Sequence, residues 1–246
     1  MQFEDLIKPK TNVEFMEKFN NAETFVIKGD KNKFLNLITL EEIENVVNNG
    51  CNFSTPPEII IDGGRRYYLE KNIPWTQFAT NKSIIKELLE KKHSFLMRNQ
   101  SQINSKVSSL ITSIENTFDF AADLHLYISP LVSGSGYNAH RDRPQHKIYL
   151  QVIGKTNWTI FDYNNDLPEN VSAVKEEEEV KYLQKLKTIE LEAGDLLYMP
   201  PDTFHKVRNY NEPRISFSIP FNKVDNKFKK MDRTHIPFKK IFESNL

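Results

Sequence analysis

The sequence predicts a mainly β fold, a sandwich or barrel with helices packed outside it. Three observations carry that expectation. From Asp123 onward the chain breaks into short β-rich runs separated by glycine, proline and asparagine. Before that point it mixes a few strand-like runs with segments of helical apolar spacing. Over 246 residues, 39% apolar and 11% aromatic side chains are enough to fill one large core.

The first part begins with a strand at TFVIKG (Thr24 to Gly29) and a helix at TLEEIENVVNNG (Thr39 to Gly50), opened by a threonine cap and closed by glycine. EIIIDGG (Glu58 to Gly64) reads as a strand ending in a turn, SIIKELLEKK (Ser83 to Lys92) as a helix. A third helix spans Ile103 to Phe118, with Val107, Leu110, Ile111 and Ile114 on one face. The β-rich part follows with LHLYISPLV, HKIYLQVIG, NWTIF, KTIELEAGDLLYMP, HKVRNY and RISFSIPF. Between them NNDLPENVSAVKEEEEVKYLQKLK reads as a helical or mobile excursion whose charge run is solvated. The expected organisation is one domain over 1–246: a helix-rich part at 1–120 packing on the barrel, a barrel core at 121–222, and a basic tail at 223–246.

Thirty-three basic residues balance thirty-three acidic ones, so no overall field directs the chain to nucleic acid or to an anionic membrane. The single cysteine, Cys51, excludes an intrachain disulfide framework and reads as a small buried apolar residue. With no secretory signal at MQFEDLIKPK and no long apolar run, a cytoplasmic protein without a membrane span is expected.

The candidate chemistry starts at YNAHRDRPQH. In a strand, side chains two apart share a face, so His140 and Asp142 project together while Arg141 points away. His205, after the Pro200–Pro201 turn, supplies a second imidazole. Two histidines and one carboxylate with open positions suit non-haem Fe(II) activating O2. Arg214 and Ser216 alternate onto one face of the last strand and offer a planar fork plus a hydroxyl for a carboxylate. Triad and fork together describe a 2-oxoglutarate site. His146 falls outside the ligand spacing and reads as a polar gate or as a support behind the ligands, Arg141 and Arg143 as solvated rim, and Trp158 and Phe161 as core.

SPLVSGSGYNAHRDRPQHKIYLQVIGKTNWTIF followed by LEAGDLLYMPPDTFHKVRN resembles the JmjC/cupin-like Fe(II)- and 2-oxoglutarate-dependent oxygenases, above all their bacterial cupin-like and ribosomal-oxygenase branch. The resemblance is strongest from Asp123 to Phe221 and rests on H-x-D, on Gln151, Gly154 and Trp158, and on the GD-LLY-PP-x-x-x-H block. It implies a double-stranded β-helix, a jelly-roll barrel with flanking helices, in which His140, Asp142 and His205 bind iron. It also implies 2-oxoglutarate and O2 as cosubstrates. Many members hold the far carboxylate of 2-oxoglutarate with a lysine where this chain has Thr156, beside Lys155. Arg214 with Ser216 is therefore the expected anchor, and Lys147, Thr156, Tyr127 and Tyr137 are further polar contacts. The residues after Phe221 are too few for the dimerisation region and winged-helix domain of the ribosomal oxygenases.

The expected reaction is hydroxylation of a C–H bond on a protein or peptide side chain. The same chemistry on a free amino acid or small metabolite is a second reading. A non-oxidative cupin metal-binding protein or isomerase is a third, disfavoured because such a barrel needs no carboxylate anchor. Whether the product is hydroxylated or demethylated, and whether the chain is a homodimer, stay open.

Overall fold

The computed structural model describes residues 1–48, 58–60, 86, 89–130, 136–210 and 212–233. Cys51 and half of the helix expected at Ser83 to Lys92 lie outside these residues; of that helix, 86, 89 and 90 are helical. Strands outweigh helices, in antiparallel sheets.

Short helices lead the chain. α1 (Phe3–Leu6) and α2 (Asn12–Asn20) had no counterpart among the sequence expectations. α2 is closed by a capping box in which Thr11 accepts from the Glu14 amide and Glu14 accepts from the Thr11 amide. α3 (Leu40–Asn48) carries the same reciprocal pair at Thr39 and Glu42, so the threonine cap read from the sequence is in place. α4 (Ser105–Phe118) starts on Asn104, whose side chain accepts from the Val107 amide, and buries Val107, Leu110, Ile111 and Ile114.

The larger sheet runs β1 (Phe25–Ile27), β11 (Leu196–Met199), β7 (His146–Ile153), β13 (Arg214–Lys223), β5 (His125–Ser129), β3 (Ser94–Met97) and β2 (Glu58–Ile60), with β4 (Phe120–Ala122) also paired to β13. The smaller sheet runs β10 (Leu183–Leu191), β8 (Thr156–Tyr163), β12 (Phe204–Asn209), β6 (Ala139–His140) and β9 (Ala173–Val174). Their facing surfaces meet through Tyr149, Leu197 and Met199 of the first and Trp158, Ile160 and Leu191 of the second. This is the sandwich-like wall arrangement of a jelly roll.

Alternation along the central strands sorts apolar from polar. Ile215, Phe217, Ile219 and Phe221 of β13 and Ile148, Leu150 and Val152 of β7 face outward into the main core with α1, α2 and α4. Phe3, Phe15, Phe118 and Tyr198 pack there edge-on and tilted. The opposite faces of the same strands are polar and line the interior. Gly154 turns β7 into β8 at φ +72°, and a Cβ there would sit 2.3 Å from the Pro213 carbonyl, so only glycine fits.

The charged insertion differs from its expectation. It contributes strand β9, one short helix α5 (Glu179–Tyr182), and, from Leu183 on, the start of β10 itself. Its acidic run is only partly solvated: Glu176 and Glu179 hold buried Lys206 at 3.0 and 2.6 Å. No helix among the described residues is long and apolar enough to cross a membrane.

Candidate active site

β12 pairs with β6 so that His205 lies directly opposite His140, and Asp142 follows two residues beyond β6. Ligand atoms of the three side chains lie within 4.8 Å of one another. His205 Nε2 is 3.9 Å from Asp142 Oδ2, and the two imidazole centroids are 4.3 Å apart. Each imidazole is oriented by its own chain: Nδ1 of His140 donates to the Asn138 carbonyl at 2.8 Å, and Nδ1 of His205 donates to the Thr203 carbonyl at 3.0 Å. A carbonyl only accepts, so both Nδ1 atoms carry the proton and both Nε2 lone pairs are left for a metal.

The electrostatics agree with that donor set. Burial would raise the Asp142 carboxyl, but the Lys147 ammonium, the largest opposing influence, holds it down at about 2. Burial lowers His205 to about 3, helped by His140, so its imidazole is neutral. Lys147 Nζ stands 3.6 Å from Asp142 Oδ1, and Tyr149 Oη donates to Asp142 Oδ2 at 3.4 Å.

A cavity opens beside the triad's two imidazoles. Tyr127, Tyr149, Arg214 and Ser216 line it from the larger sheet, and His140, Trp158, His205, Val207 and Asn209 from the smaller one. Gly136 and Tyr137 complete its wall. Arg214 is buried and donates through Nη1 to Asn209 Oδ1, while its Nε and the Ser216 hydroxyl have no partner. Burial lowers the Arg214 guanidinium to about 10. Among the described residues no carboxylate pairs with it. A buried cation and a buried hydroxyl left open in one cavity form a seat for an anionic group.

Residues 94–227 match the sequence profile of the JmjC domain, more than half of the chain. The chain belongs to the JmjC family. Within that family's reach, it is 24% identical over 215 residues to the bifunctional lysine-specific demethylase and histidyl-hydroxylase NO66 of Dictyostelium discoideum, covering 82% of this chain and 38% of that one. Its fold is similar to that of YcfD, a ribosomal oxygenase from Escherichia coli. The YcfD complex with cobalt and 2-oxoglutarate superposes with a TM-score of 0.59 at 16% identity, over 94% of this chain and 64% of that one. The complex with cobalt and succinic acid gives 0.56 at 16% identity, over 94% and 64%. The JmjC chain here thus spans well under half of the curated relative and just under two thirds of the structural ones.

The other residues singled out in the sequence fall in different places. Tyr127 and Tyr137 line the cavity. Thr156 is fully buried but turned into a hydrogen-bond relay, donating to Gln151 Oε1 at 3.1 Å and accepting from Trp158 Nε1 at 2.9 Å. Lys147 stands at the Asp142 carboxylate, and Lys155 pairs with Glu192 on the surface. His146 lies on the outward face of β7, stacked on Phe19 with Nδ1 2.8 Å from Tyr198 Oη, so it is no gate to this cavity.

Arg141 corrects the rim reading. It does point away from the metal face, yet it is buried, donating to the Val171 and Glu169 carbonyls and pairing with Asp202 at 3.0 Å, between the rings of Tyr163 and Phe204. The insertion covers it. Asn209 and Tyr149 were missed, although Asn209 shares the alternating face of β12 with His205 and Tyr149 that of β7 with Lys147.

Proposed function

We propose that this JmjC chain is an Fe(II)- and 2-oxoglutarate-dependent oxygenase that hydroxylates a C–H bond on a protein or peptide side chain. The observation that carries the reading is the open guanidinium of Arg214 with the Ser216 hydroxyl, buried in the cavity that His140 and His205 of the triad also line. His140, Asp142 and His205 fit Fe(II): two imidazoles with free Nε2 atoms and one ionised carboxylate leave positions for a chelating cosubstrate. Arg214 and Ser216 would take the far carboxylate of 2-oxoglutarate, with Tyr127 beside the guanidinium at 5.8 Å. When bound, iron with 2-oxoglutarate and O2 supplies the oxidation of a C–H bond coupled to formation of succinate and CO2.

The protein's own share is placement and exclusion of water. Asn138 and Thr203 keep the Nε2 lone pairs inward; Lys147 and Tyr149 keep Asp142 ionised and fixed; Trp158, stacked 5.6 Å from His205, dries the cavity wall. The relatives described as histidyl-hydroxylase and ribosomal oxygenase support a protein substrate over a metabolite. Purified protein with Fe(II) and ascorbate is expected to convert 2-oxoglutarate slowly to succinate without any second substrate, and His140→Ala to lose iron. Absence of both turnover and 2-oxoglutarate binding in iron-loaded protein would refute the oxygenase reading.

A further inference from the structure

The polar inner face that ends at Arg214 continues in the other direction, past the triad, to a second opening. On β13 the row runs from Arg214 and Ser216 through Ser218 to Pro220; on β5 from Tyr127 to His125; on β7 from Tyr149 to Lys147, with Ser218 in register with both His125 and Tyr149, and Pro220 with Lys147. The far ends of these rows open into a separate cavity of about 840 Å³. Its inner lining includes His125, Asp123, Gln145 and Pro220. Lys147, in register with Pro220, ties this end of the rows to Asp142 at 3.6 Å. Lys147 therefore stands between the Asp142 carboxylate and the strand end that opens into this cavity.

Two features define the mouth's chemistry. One wall is the segment after β13, which is tied down: Arg233 pairs with buried Glu115 at 2.6 Å and donates to the Ala122 carbonyl, and Lys230 pairs with Asp119 at 2.6 Å. That wall presents Lys227, Lys229 and Phe228 to the cavity, and neither lysine is in an ion pair among the described residues. The other wall adds Arg98. Against the two lysines, the described residues lining the cavity include one carboxyl, Asp123, which burial raises. At the inner end, His125 is buried in the cavity lining.

We infer that this mouth is the substrate side of the JmjC site and that it selects a peptide whose residues flanking the reacting side chain are acidic. The inference rests on the oxygenase reading above and adds the substrate class. Opposite charge lining one concave wall raises the local concentration and residence of an acidic segment, and the effect weakens as salt screens it.

Two fluorescent peptide pools test it, matched in length and in a randomised central residue, one flanked by Glu and Ser and the other by Lys and Ser. Protein loaded with Mn(II) and 2-oxoglutarate should bind the Glu pool at least about fivefold tighter by anisotropy at low salt. The same pool should stimulate succinate formation by the Fe(II) protein. Lys227→Glu with Lys229→Glu should abolish or invert the preference, whereas Lys185→Glu on the outer strand β10 should leave it unchanged. Equal binding, preference for the Lys pool, binding of neither pool, or an unchanged preference in the double variant overturns the inference. If the wild type forms succinate without peptide and yet shows no acidic preference, only the mouth assignment falls. If it neither binds nor turns over 2-oxoglutarate, the oxygenase reading falls and this one with it.

Discussion

Replacing Arg214 by methionine separates a binding role from a structural one, because the two predict opposite signs. The guanidinium is buried, has one hydrogen bond to Asn209 and no carboxylate among the described residues. Burial lowers it to about 10, a shift that corresponds to about 3 kcal/mol spent on keeping a charge away from water. A protein holding that charge for stability alone would give it a carboxylate; one holding it for a ligand leaves it open. Arg214→Met is therefore expected to leave the melting temperature of the metal-free protein unchanged or higher. Binding of 2-oxoglutarate should weaken by about 3 kcal/mol, about 100-fold, the scale of one charge-assisted pair in a dry site. Calorimetric titration of 2-oxoglutarate into Mn(II)-loaded wild type and variant, with metal content measured alongside, reads both quantities. Affinity within about threefold of wild type, or loss of metal together with 2-oxoglutarate, would sink the assignment. A matching loss in Lys147→Met but not in Arg214→Met would move the anchor to Lys147.

Two further outcomes follow from the surroundings. Arg141→Met removes a guanidinium that joins the strand between two ligands to residues 169, 171 and 202; it should cost about 3 kcal/mol of stability and about tenfold in metal affinity, and Asp202→Asn should produce a smaller loss of both. Wild-type stability with no change in metal affinity would show that the clamp does not position the ligands. For pH, burial and then Lys223 lower His146 to about 4 from 6.5, so the unfolded chain takes up a proton that the folded chain refuses. The stability this group contributes is whole above about pH 6.5 and is lost as pH falls through about 4; allowing for its partial exposure, the loss is about 1–2 kcal/mol. His146→Phe keeps the stacking on Phe19 and should flatten the stability curve by that amount; identical acid slopes in chemical denaturation would refute it.

Local periodicity made the strands legible: the runs at β5, β7, β8, β12 and β13 sit where alternation and turn residues placed them, and alternation also put Arg214 and Ser216 on the inner face. α1 and α2 escaped because a helix of four or nine residues has little period to detect, and its stability comes from Phe3 and Phe15 packing on the sheet. The glutamate run is largely exposed, as its composition implies, but the pairing of Glu176 and Glu179 with buried Lys206, 30 and 27 residues later, lies beyond any local pattern.

By itself the sequence singled out His140, Asp142 and His205 as a donor set that suits a metal and put Arg214 and Ser216 on one face of their strand, since a period of two is a property of neighbouring residues. The tertiary structure decided what each charge faces. It set His140 opposite His205, gave Arg141 to the insertion, stood Lys147 at Asp142, left Arg214 open, and folded Lys227 and Lys229 over the far end of the barrel. Those relations join residues far apart in the chain through strand register and burial, and burial is what turns an ordinary arginine or lysine into a group that needs a partner.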